Sequence, residues 1–271
     1  MYDALSEAEW DQVDQVWDLL EGSEVDRART ETNDLLGRRP RHPDLLVLDA
    51  AVAIEEGDPD RALDALRGAE RSADPALFFH LRALARFHRV DLEAARADAD
   101  KALAVRPQLA EAHALLSRIH ELLGDQDSSA RHAEAANDID PETFPPPLEV
   151  SDEAFDQLVE KSLAELPEVV RDHLQQIPVM VEPLPSRHLL IAEKPPLAPD
   201  LLGLFVGRHL LEQSHADLPA APGAIYLFRR NLLRACRDQD ELSREIRITV
   251  QHEVGHYLGL DEDDLERWGL A

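Results

Sequence analysis

The chain has 271 residues, with 28 lysines and arginines against 55 aspartates and glutamates, and 44% of it is hydrophobic. That length and apolar content fit one or two globular domains, and a net charge of −27 spread over both halves excludes a phosphate backbone as partner. The lone cysteine, Cys236, rules out a disulfide framework and a cysteine-based zinc site; without a secretory signal or a long apolar run, the chain reads as a soluble cytoplasmic protein that contacts no membrane.

Glycines and prolines divide the first half. Gly22, Gly57 and Gly124 each close an apolar helical run, and Asp58 and Asp125 follow two of them directly. Prolines recur at Pro40, Pro75, Pro107 and Pro141, with intervals of 35, 32 and 34 residues. The clearest unit is AEAHALLSRIHELLGDQDSSARHAEAANDIDP, residues 110–141, with small or apolar residues at Leu116, Gly124 and Ala136 before Pro141. Residues 76–107 keep Ala95, Ala99 and Ala102 at matching offsets, but Val90 stands where the turn glycine belongs. Residues 43–75 keep Gly57, Ala62 and Ala69, and the first unit, about 8–40, keeps Ala28. A period near 34 with a turn between two helices resembles the tetratricopeptide repeat. The resemblance implies an all-α repeat domain over 1–141 that presents a surface to a protein or peptide partner. So acidic a surface favours a basic partner. His80 and His88, and His113 and His120, recur at helical spacings, and lone helical histidines are mostly packed or solvated side chains.

PETFPPPLEV contains three consecutive prolines, Pro145 to Pro147, and reads as a stiff linker over 142–150. Ser151 then caps a helix whose Phe155, Leu158, Val159, Leu163 and Leu166 share one face. A second helical piece follows Pro167. PVMVEPLP and PGAIYLFRR read as short strands, whereas 185–222 carries no clear pattern. The strand GAIYLFRR is a candidate edge for pairing with an extended peptide, with Arg229 and Arg230 at its end facing acidic neighbours.

The segment DELSREIRITVQHEVGHYLGLDEDDLERWGL carries the chemistry. Asp240 is a candidate cap for a helix with Leu242, Ile246, Val250 and Val254 at helical spacing. On that helix His252, Glu253 and His256 form an HExxH motif. Four residues advance a helix by about 6 Å and turn it by about 400°, so both imidazoles project from one face. That spacing suits two ligands of a tetrahedral Zn2+, and Glu253 lies where a general base for water is needed. Gly259 can take a left-handed conformation and reverse the chain.

Together with LLGLF, IYLFRRNLLRACRD and SDEAFDQLVE, this segment resembles the bacterial minimal zincin-like metallopeptidases. The resemblance spans about 150–271 and implies an α+β zincin domain over 151–271, with a short sheet packed on the active-site helix and a second helix backing it. It also implies zinc held by His252 and His256, with Glu253 as base. In zincins with an extended HExxHxxGxx-ligand pattern the last position binds the metal, and here that position is Glu262; Asp261 and Asp263 are competing candidates. The acidic run Asp261 to Asp264 is equally the start of a solvated helix. Cys236 reads as a core thiol and Tyr257 as either a flank of the site or a packing residue.

The whole reads as a zinc-dependent peptidase whose repeat domain recruits a protein partner or substrate. The alternative is a non-catalytic interaction module with a structural or regulatory zinc site.

Overall fold

A computed structural model describes residues 4–69, 74–175, 177–192, 194–207 and 223–260. The chain divides into two compact units, Met1–Pro145 with Arg187–Pro199, and Pro146–Ser186 with Asp200–Ala271.

The first unit is built from four helical hairpins. They are α1 (Glu7–Glu21) with α2 (Val25–Arg38), α3 (Pro43–Glu55) with α4 (Pro59–Leu66), α5 (Pro75–His88) with α6 (Leu92–Val105), and α7 (Ala110–Leu122) with α8 (Gln126–Ile139). These are the four units expected from the proline and glycine intervals, and the fold of this half is the all-α repeat array. The small residues sit where paired helices approach. Ala28, Ala62, Ala69, Ala95, Ala99 and Ala102 have no exposed surface, and Ala136 only 1%.

Every hairpin turns through the same backbone motif. After α5 the N–H groups of Val90 and Asp91 donate to the carbonyls of Phe87 and Arg86, and the other three turns repeat this nested pair. The motif needs a left-handed residue, and the four are Ser23, Gly57, Val90 and Gly124, with φ of 58°, 73°, 61° and 81°. In the first unit, therefore, Ser23 rather than Gly22 takes the strained position (Gly22 has φ −82°). Asp58 and Asp125 then cap the return helices through the N–H groups of Arg61 (2.9 Å) and Ser128 (3.1 Å). Pro75 opens α5 instead of ending the previous hairpin, because Asp74 caps that helix through Ala76 N–H.

The second unit is α+β. Its elements are α9 (Asp152–Ala164), α10 (Glu168–Leu174), β1 (Val179–Glu182), β2 (Gly203–Val206), β3 (Ala224–Phe228), α12 (Arg229–Ala235) and α13 (Gln239–Leu258); the one-turn α11 (Arg187–Leu190) belongs to the first unit. The strand order is β1-β3-β2, with β1 parallel and β2 antiparallel to β3. GAIYLFRR is therefore the central strand and not the expected edge. It pairs on both sides, and β2, inside the stretch that carried no pattern, is an edge among the described strands. The helical run starts at once after Phe228, so Arg229 and Arg230 open α12, where Arg229 pairs with Asp152.

Leu242, Ile246, Val250 and Val254 form the buried stripe of α13, as their spacing requires. They pack with Phe155 and Val159 of α9 and with Ile225 and Leu227 of β3 in one core. The cap of α13 is Asp238, two residues before the expected Asp240. Its extended backbone lets Oδ1 accept from Glu241 N–H at 2.8 Å, while Glu241 Oε2 accepts from Arg237 N–H at 2.7 Å.

Candidate active site

The twenty-residue α13 presents His252 and His256 one turn apart, both half-buried. Their Nε2 atoms stand 3.0 Å apart, with ring centroids separated by 4.6 Å and planes at 85°. Two nitrogens bound at about 2.05 Å to one tetrahedral zinc lie about 3.3 Å apart, so the observed pair fits that geometry after a small adjustment.

The end of the helix is fixed immediately beyond His256. Gly259, at φ 84°, donates to the His256 carbonyl (2.9 Å), and Leu260 donates to that of Gly255 (3.1 Å). The sequence expectation for Gly259 holds, and a residue with a β-carbon would make this turn under strain.

Glu253 is only 6% exposed. Its Oε2 accepts from the Phe205 N–H of β2 at 2.6 Å. Among the described strands β2 lies at the sheet edge, and this N–H points away from β3 towards the helix. The carboxylate, on the same helix as the two imidazoles, is thus held by a backbone donor of β2. The close approach of α13 to β2 depends on Gly203. A β-carbon there would lie 2.5 Å from Thr249 Cγ2, 3.1 Å from the Tyr226 carbonyl oxygen and 3.5 Å from Glu253 Cγ. Sequence reasoning missed Phe205, Gly203 and Thr249 as parts of this site. The available signal was a glycine inside the apolar run LLGLF, which marks a close backbone approach.

The expected third ligand, Glu262, and its competitors Asp261 and Asp263 lie outside the described residues. Among the described residues no group of three or more histidine, cysteine, aspartate or glutamate side chains gathers to hold a metal. Tyr257 is 4% exposed and packs edge-on against Phe205 (5.5 Å) and His173 (6.1 Å), which is a packing role. Cys236 is buried; burial, reinforced by Glu245, Glu241 and Asp238, pushes its thiol up to about 11, so it is inert near neutral pH.

In the repeat unit His113 and His120 both meet a third histidine, His132 of α8. His113 Nδ1 and His132 Nδ1 are 3.0 Å apart, and the His120 ring stacks on His132 at 5.5 Å. His80 is half-buried, and desolvation lowers its pKa, while His88 lies edge-on to Phe87 at 5.7 Å.

Residues 174–270 match the family described as "Zincin-like metallopeptidase", a span that holds the whole sheet, α12 and α13. The resemblance read from the HExxH segment is borne out over that span, while α9, which packs in the same core, precedes it. No curated protein matches the chain. Among solved structures the chain is similar to "MamA RS-1 ArsTM double mutant" at 20% identity and TM-score 0.41, covering 51% of this chain and 78% of that one. "Crystal structure of MamA" is similar at 18% identity and TM-score 0.39, covering 57% and 85%. "Crystal structure of MamA protein" is similar at 18% identity and TM-score 0.40, covering 62% and 87%. No helix among the described residues is long and apolar enough to cross a membrane.

Proposed function

We propose that the chain is a cytoplasmic zinc-dependent peptidase, with residues 151–271 as its catalytic domain. Residues 1–141 form the repeat domain that recruits a protein partner or substrate. The observation that carries the reading is the convergence of His252 and His256 Nε2 at 3.0 Å beside a Glu253 carboxylate pinned to a strand edge. Two imidazoles on one helical face and a carboxylate from the following chain form a donor set suited to zinc. His252, His256 and Glu262 would hold the ion. When bound, zinc lowers the pKa of water towards neutrality and polarises a carbonyl.

The remaining steps belong to the chain. Glu253 takes a proton from the attacking water and delivers it to the leaving amine nitrogen, so that it ends each cycle ionised. The Phe205 N–H keeps that carboxylate oriented between the two transfers. The packing of Gly203 against Thr249 sets the distance between helix and strand at which this bond forms.

Metal analysis of the purified full chain, with peptide hydrolysis by wild type, His252→Ala and Glu253→Gln, tests the reading. One zinc per chain, lost in His252→Ala, and hydrolysis lost in both variants is the expected result. Zinc without hydrolysis would leave the non-catalytic interaction module, and absence of stoichiometric zinc would refute the assignment.

A further inference from the structure

The last hairpin of the repeat unit gathers three half-buried histidines. His113 and His120 stand two turns apart on α7, and His132 of α8 reaches both: its Nδ1 lies 3.0 Å from His113 Nδ1, and its ring stacks on His120 with the planes within 9°. The HExxH pair also has its nitrogens 3.0 Å apart, but its ring centroids are separated by 4.6 Å, against 5.2 Å for His113 and His132. At equal nitrogen separation, more distant centroids mean rings that point more nearly at one another. The first pair therefore aims two lone pairs at a third point, whereas the second shares a proton in an N–H···N bond.

Hydrogen-bond partners fix where the protons are. His113 Nε2 is 3.1 Å from the Pro107 carbonyl oxygen, which can only accept, so this nitrogen carries a hydrogen. In the neutral ring Nδ1 is then bare and accepts from His132 Nδ1–H. The pair can take up one further proton and keep the bond, because an imidazolium still donates to a neutral imidazole. A second sets N–H against N–H, and two like charges replace the bond.

The surroundings oppose that charge on balance. Facing His132 are His113 and His120 from α7, Arg131 of its own helix and Asp100 of α6. Burial first, then the two histidines and Arg131, hold its pKa below the ordinary 6.5, and Asp100 offsets this in part. A proton on His120 has its own counter-charge, with Asp125 Oδ2 at 3.3 Å from Nδ1. The folded hairpin thus binds fewer protons than its unfolded chain, so its stability is complete above 6.5 and declines as pH falls below it.

The helix that bears the loss is weakly held. The return helices α2, α4 and α6 each bury a leucine, Leu35, Leu66 and Leu92, whereas α8 buries only Ser128, Ser129 and Ala136. Its attachment to α7 rests on small side chains, the buried Ser117–Ser129 bond (3.2 Å) and the His113–His132 bond. Elements with few buried apolar contacts are the ones that open locally.

We propose that the α7–α8 hairpin is an acid-released latch: double protonation of the His113–His132 pair frees α8 while the other three hairpins stay closed. The surface that the array offers a partner then differs between neutral and mildly acidic pH. This adds regulation to the proposed recruitment and, as a property of the repeat unit, stands whether or not the second unit binds zinc.

Hydrogen exchange of the full chain, read by mass spectrometry at about pH 7.5 and about pH 5.5, tests it, with protection expressed relative to an unstructured peptide at the same pH. Open α8 holds at least one proton more than closed α8, and one pH unit below 6.5 favours the open state about tenfold for that proton. Protection of the amides of residues 126–139 should therefore fall at least about tenfold at the lower pH, and that of α3 to α6 by less than about twofold. His132→Asn places an amide where Nδ1 stood, which donates to His113 or, turned over, accepts from it, so the bond survives at either pH and the loss should vanish. His113→Asn serves the same purpose if that variant fails to fold. Unchanged protection of α8, an equal loss in all four hairpins, or a loss that persists in the asparagine variant overturns the proposal.

Discussion

Substituting Gly203 tests the contact between helix and strand on which the site depends. An alanine Cβ would meet Thr249 Cγ2 at 2.5 Å, roughly 1 Å inside ordinary contact, and the Tyr226 carbonyl oxygen at 3.1 Å. The carbonyl belongs to central strand β3 and cannot retreat, so α13 must move away from β2 and stretch the Glu253–Phe205 bond. Overpacking of this kind costs about 1–3 kcal/mol, and we expect about 2 kcal/mol for Gly203→Ala. In a chain of this size that lowers the melting temperature by roughly 4–8 °C. Thr249→Ser removes the offending methyl and costs about 0.8 kcal/mol on its own, as a buried carbon does. The double variant should then be less destabilised than the sum of the singles by about 1 kcal/mol. Thermal and urea unfolding of the four proteins complete the cycle. If Gly203→Ala melts with wild type, or the two changes add within about 0.3 kcal/mol, the close approach does not limit the fold and the argument fails.

Four other predictions are independent of that contact. Ser23 is exposed and left-handed, so Ser23→Gly should raise stability by about 0.5–1 kcal/mol, while Gly124→Ala, whose Cβ would meet nothing within 4 Å, should lower it by about 1 kcal/mol in urea titrations. Glu253→Gln keeps an acceptor for the Phe205 N–H; it should retain zinc, measured by equilibrium dialysis, and lose peptide hydrolysis by about 10²–10⁴-fold. Asp98→Asn leaves Arg82 and Arg86 facing each other without their buried counter-charge, and since both arginines are partly exposed the cost should be about 2–3 kcal/mol in thermal unfolding. Glu9 is held at about 2, against an ordinary 4.5, by the Ser6 backbone N–H, then by Arg39 and the Ser6 hydroxyl. Its depressed value means that its contribution is complete above pH 4.5 and is lost as pH falls towards about 2, which a carboxyl NMR titration should show; Arg39→Ala should move that titration upward.

What could be read from the sequence was whatever a short stretch of chain determines alone. The hairpins were visible because glycine, aspartate and proline have backbone requirements that recur with the repeat, and α13 because four apolar residues at i+4 intervals define a face. Val90 shows the limit of that reading. It lacks a glycine's freedom, yet buried to 2% exposure it turns through the same motif at φ 61°, because its packing outweighs the local preference. Strand β2 was missed because four residues around Gly203 have no alternation to detect, and its place is decided by pairing with β3. The order of the strands, and with it the error over the edge, depends on contacts distant in sequence. The pair of histidines was legible from helical geometry, whereas the donor to Glu253 was not, since it is a main-chain N–H with no side-chain signature.

The bond between Glu253 and Phe205 also bears on how the molecule avoids its own copies. An edge strand offers N–H groups to any passing chain, and among the described strands, where β2 is an edge, a buried negative side chain seated on one of them blocks sheet extension there. Glu253→Ala would remove the base and uncover that donor together. Turbidity or sedimentation should therefore separate it from Glu253→Gln, which leaves the edge covered and is the better inactive form for trapping a bound peptide.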